Sequence, residues 1–106
     1  MADLTMLTQM PQIQRAVMAS LDGSLVEAVG DADAEAVASV SAVVAATMKE
    51  AGEQFGLGAL SWVSVAGNEQ ALVLAMDEDA VLTGYVDPPK ALAAVEKALD
   101  TALGRS

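Results

Sequence analysis

The first apolar residues, Leu4, Met6, Leu7 and Met10, recur at helical spacing and predict a short helix over residues 3–10. Pro11 ends it, because proline disfavours the helical conformation in the residue before it. Over residues 14–21 the pattern changes to alternation. Val17, Ala19 and Leu21 share one face, while Ala16, Met18 and Ser20 share the other, as in a half-buried strand. Asp22-Gly23 suits a type I′ turn, and residues 24–29 read as the returning strand, closed by Gly30. Asp31 or Asp33 then caps a long helix over residues 32–54, with Asp33 and Glu35 at its positive end. At 100° per residue Val37, Val40, Ser41, Val44, Met48, Ala51 and Phe55 form one stripe, the expected core face. Gly52 weakens the last turn, and Gly56 and Gly58 stop the helix.

Residues 59–66 predict a third strand, with Leu60, Trp62 and Ser64 opposite Ser61, Val63 and Val65. A Gly67-Asn68 turn of the II′ kind leads to a strand over 70–76. The acidic turn 77–79 leads to a last strand over 80–86. Asp87-Pro88-Pro89 opens a final helix whose apolar stripe is Leu92, Val95, Ala98, Leu99 and Leu103. The order is α-β-β-α-β-β-β-α. This predicts one α+β domain over residues 1–106, a five-stranded antiparallel sheet with the long second helix on one face and the terminal helices on the other.

The long helix also speaks about partners. A helix on a sheet ordinarily carries charge on its outer side. Here Ser39, Ala42, Val43 and Ala46 stand opposite the expected core stripe, and no charged residue occurs between Glu35 and Lys49. Small uncharged residues let a second helix approach to roughly 8 Å between axes, so this face predicts a helix-on-helix contact with another copy. Alanine's helix propensity alone accounts for an uncharged face too, but an exposed apolar strip favours the interface. On that reading glutamate at Ala42 or Ala46 splits a dimer and leaves the fold intact. Trp62, in a strand without charge or proline, fits either the core or a sheet edge that pairs with another chain.

Composition narrows the chemistry. The 106 residues suffice for one core and not two. The formal charge of −10, from 15 acidic and 5 basic residues, repels nucleic-acid phosphates and anionic lipid. Without cysteine or histidine there is no disulfide framework, thiolate zinc site or imidazole base. No uncharged stretch reaches the roughly 18 apolar residues that span a bilayer, and the first basic residue is Arg15, so a soluble cytoplasmic protein is expected. Asp31-x-Asp33-x-Glu35 opens like a calcium loop, but Ala36 replaces the required glycine and Ala42 the closing glutamate. Asp77-Glu78-Asp79 reads as a solvated turn, and Asp22 with Glu27 lacks a partner base. Gly56-Leu57-Gly58 precedes a strand and not a helix, so it does not cradle phosphate. The six methionines are scattered and read as core filler. No catalytic, cofactor or metal residue is assigned, and no enzyme is expected.

The hairpin AVMASLDGSLVEAVG (16–30), the helix DAEAVASVSAVVAATMKEAGEQFGLG (33–58), the strands ALSWVSVAGNEQALVLAMDEDAVLTGYV (59–86) and the helix PPKALAAVEKALDTAL (88–103) together resemble the roadblock (dynein light chain) domain, the group that includes bacterial MglB-type proteins. The likeness spans about residues 4–104 and rests on hydrophobic pattern and turns. It implies a dimer in which the second helices pack together and the third strands join two sheets. The implied interface is Ser39, Ala42, Val43, Ala46, Trp62 and Ser64. It also implies a non-enzymatic regulator or adaptor of a small Ras-like GTPase, or alternatively a structural dimerisation subunit of a motor or polarity complex. The only arginines are Arg15 and Arg105, so a catalytic arginine supplied in trans is not expected.

Overall fold

The computed structural model describes residues 5–30, 33–58, 62–76 and 80–102. A single turn, α1 (Thr5–Thr8), leads into the hairpin β1 (Ile13–Ser20) and β2 (Leu25–Val29), followed by α2 (Ala34–Gln54). Strands β3 (Trp62–Ala66), β4 (Ala71–Met76) and β5 (Ala80–Val86) follow, then a 3-10 turn (Pro89–Ala91) and α3 (Leu92–Ala102). All pairings are antiparallel, and the sheet order is β2-β1-β5-β4-β3. The α+β class and the five-stranded antiparallel sheet are as the alternation predicts. The element order is not: among the described residues the first helix is one turn, so the full helices read β-β-α-β-β-β-α. The chain leaves the helix after Thr8 in turns around Pro11, with Met10 N–H donating to Leu7 O and Ile13 N–H to Met10 O.

Alternation along each strand divides the core. On one face Ile13, Ala16, Val73, Ala75, Leu82 and Val86 pack with Leu7 of α1 and with Val95 and Leu99 of α3. On the other, Val17 and Ala19 pack with Ala34 and Ala38 of α2, while Leu74 and Val81 pack with Ala45. A hydroxyl pair lies in this second layer, where Ser41 Oγ and Thr83 Oγ1 are 2.7 Å apart and both buried.

α2 is rotated on the sheet from the stripe that its valines predict: Ser41 is buried and Val37 and Val44 pack at the margin of the core, but Val40 and Phe55 turn outward. Ala34, Ala38, Ser41, Ala42, Ala45 and Gly52 face inward, whereas Val40 and Val43 are 62% and 66% exposed. Small residues let the helix axis settle close to the sheet, where valines would hold it off. The hairpin tip shows how close: a Cβ built on Gly23 would lie 3.5 Å from Ser39 Cα and 3.9 Å from Ala42 Cβ.

The turns also differ in type. Ser20 and Ser24 close a three-residue loop, with the Gly23 N–H donating to Ser20 O and Gly23 alone at positive φ, +92°. Asp22 stays at negative φ, so this is a type I turn with a glycine bulge and not type I′. Gly67 has no positive φ, which rules out type II′; its N–H donates to Gln70 O across a four-residue loop. Asp33 takes the N-cap position of α2 without a side-chain capping bond.

Candidate functional site

β3 is an edge strand. Its outer backbone has no neighbour among the described residues, and its sequence WVSVA carries no charge. α2 crosses the sheet nearer β1 and β5, which leaves a groove of about 370 Å³ between the helix and the β3 edge. Val37, Val40 and Val44 of α2 form one wall, Val65 the other, and Leu72 and Leu74 part of the floor. The Ser41–Thr83 pair satisfies two floor hydroxyls within the chain, so the open surface is mainly apolar.

Tyr85 also lines the groove, and the Arg15 guanidinium carbon lies 4.1 Å from its ring centroid. Arg15 and Tyr85 are register partners between β1 and β5, so the alternation of the sheet itself stacks the cation on the ring. Beyond the groove α2 ends in a fixed knob. Leu57 N–H donates to Gly52 O and Gly56 N–H to Glu53 O, with Gly56 at φ +74°. Phe55 and Leu57 on this turn are 78% and 64% exposed.

The residues that the sequence singles out fall into three groups. Ser39, Val43 and Ala46 lie on the exposed side of α2. Ala42 is buried under the helix beside Gly23, so it supports the close seat of α2 and does not present a side chain outward. Trp62 and Ser64 point to the α3 side of β3. Trp62 packs on the first core layer, and Ser64 Oγ donates to Glu96 Oε2 at 2.7 Å. Only their backbone belongs to the edge. The sequence reading missed the exposure of Val40 and Phe55 because it assigned the largest apolar stripe to the core, and it gave the side chain of Leu57, also exposed, no role. Asp31, the acidic turn 77–79 and Arg105 lie outside the described residues.

The model of the Roadblock/LC7 domain matches residues 2–84. The chain belongs to this family. Among solved structures, MglB from Myxococcus xanthus is 18% identical with a TM-score of 0.68, covering 89% of this chain and 83% of that one. A Roadblock/LC7 domain from Streptomyces avermitilis is 19% identical with a TM-score of 0.68, covering 94% and 90%. The gliding protein MglB from Thermus thermophilus is 15% identical with a TM-score of 0.69, covering 92% and 80%. At these identities the likeness is one of fold. No curated protein matches the sequence.

In this roadblock domain the groove and the bare edge adjoin, a geometry suited to holding another protein. Among the described residues no three Asp or Glu side chains gather as metal ligands, and no helix is long and apolar enough to cross a membrane. The hairpin holds the one shifted carboxylate among the described residues. Ser20 Oγ and Ser24 N–H both donate to Asp22 Oδ1, lowering its pKa from 3.8 to about 2, with the Ser20 bond the largest cause. That explains Asp22 as a turn residue.

Proposed function

We propose that this roadblock domain is a homodimeric, non-enzymatic regulator or adaptor that binds a small Ras-like GTPase in the cytoplasm and modulates its nucleotide cycle or localisation. The observation that supports it most is the uncharged valine side of α2 toward β3, where exposed Val40 stands with Val37 and Val44 beside the bare edge strand. A lone domain in water gains nothing from exposed Val40 and Val43, nor from an unblunted edge strand. A second copy covers both at once. Val40 and the β3-facing side of α2 meet their counterparts, with Val43 at the margin, and the backbone at Trp62 and Ser64 extends the sheet. Ser39 and Ala46, on the side that carries Glu35, Glu50 and Glu53, stand outside this contact, and Ala42 acts from beneath by seating the helix. Roadblock/LC7 domains are generally non-enzymatic, and the resemblance supplies the Ras-like partner.

Light scattering on a sizing column, over a wide concentration range, is expected to return twice the chain mass. Capture of a Ras-like GTPase loaded with GDP or GTP is expected to differ between the two. A stable dimer with equal or no capture would instead favour a purely structural dimerisation subunit. Arg15 stacks on Tyr85 within the chain. Arg15→Ala is therefore expected to leave any stimulation of hydrolysis within a few-fold, and a loss of roughly 10³ or more would restore a role in trans.

A further inference from the structure

We propose that the Phe55–Leu57 knob of one copy fills the groove beside Val40 and Val65 of the other, and so locks the dimer; the inference rests on the dimeric reading above. Knob and groove lie on one helix. At 100° per residue Phe55 shares its side of α2 with Val37, Val44 and Met48, which is the side facing β3. Every charge on α2 (Glu35, Lys49, Glu50 and Glu53) falls on the other side of the helix. Two chains of charge −10 repel, and this sector is where they can meet without opposing like charges.

A two-fold dimer makes each contact twice, so residue i meets j and j meets i. Phe55 and Val40 are 15 positions apart, about 22 Å along the helix. An antiparallel α2 pair crossing near Thr47 and Met48 puts Phe55 of each copy over Val40 of the other. The edge strands give the same register independently. Val65 lines the groove near the end of β3, while the knob precedes its start. Antiparallel β3–β3 pairing brings the start of one strand beside the end of the other, and the knob with it. The groove, about 370 Å³, holds one aromatic and one aliphatic side chain, and the bonded turn presents both without further ordering.

The chain has no cysteine, so single-cysteine variants report contacts cleanly. A Phe55→Cys chain is mixed with a Val40→Cys chain carrying a size tag, then treated with a short bismaleimide. The expected product is the mixed crosslinked dimer, whereas Phe55→Cys with Val26→Cys, on the opposite edge strand, gives none. Phe55→Ala is expected to weaken the dimer at least about 100-fold, since the side chain acts at two equivalent sites. Its far-ultraviolet circular dichroism should stay unchanged, because Phe55 is exposed in the single chain. A dimeric wild type without the mixed crosslink, or with Phe55→Ala dimerising normally, overturns this docking and leaves the dimer standing. A wild type that stays monomeric overturns both.

Discussion

Ser20, Asp22 and Ser24 show how one side chain fixes a turn. The carboxylate accepts from Ser20 Oγ and Ser24 N–H and is held near pKa 2. Because the folded value lies below the ordinary 3.8, the turn's electrostatic contribution is present above that pH and is lost as the pH falls through about 2. A carboxyl titration followed by NMR should show the low midpoint, and Ser20→Ala should return it toward 3.8. The Ser41–Thr83 pair behaves differently because it is buried. Ser41→Ala leaves a dry hydroxyl on Thr83 and is expected to cost about 1–3 kcal/mol. The double change Ser41→Ala with Thr83→Val removes both partners and should recover most of that loss. Denaturant unfolding of the two single variants and the double variant measures the coupling.

At the scale of the element, α2 is apolar on two sides for two reasons. Its inner side is small so that the helix can lie close to β1 and β5, and its outer side carries the valines. Glutamate scanning separates them. Ala42→Glu buries a charge beside Gly23 and should unfold the domain or destabilise it by several kcal/mol. Ala46→Glu sits on the exposed side beside Glu50 and Glu53 and should leave thermal unfolding of the single chain nearly unchanged, whereas Val40→Glu, also exposed, should weaken self-association. Equal effects at Ala42 and Ala46 would mean that α2 is rotated from the placement described. The sequence shows the existence, type and length of α2 well, since Asp33, Gly52 and Gly56 mark its ends. The rotation was not legible, because a hydrophobicity stripe weights valine over alanine while close packing selects the smaller residue. The first helix ends earlier than predicted: apolar residues at helical spacing run to Met10, but the helix stops at Thr8, ahead of Pro11.

For the whole molecule, net charge and apolar surface act in opposite directions. Two copies together carry −20, twice −10, and must associate through an uncharged face. Self-association should therefore strengthen as salt rises from low to physiological ionic strength, while binding to a basic docking face on a GTPase should weaken. Sedimentation for the first and titration calorimetry for the second would read the two signs. A dimer that loosens with salt would mean that ion pairs, and not the valines and Phe55, hold it.

The sequence by itself determined the five strands, the long middle helix, the closing helix and their order, because strand alternation, helical period and turn residues are local properties of the chain. It also carried the family resemblance. Strand neighbours were decided only in three dimensions, where β5 enters between β1 and β4 and leaves β3 bare at the edge. The same is true of the inward side of α2, of Trp62 facing α3, and of the exposed Phe55. These depend on the space left between layers already assembled, and no single segment encodes the volume of its neighbours.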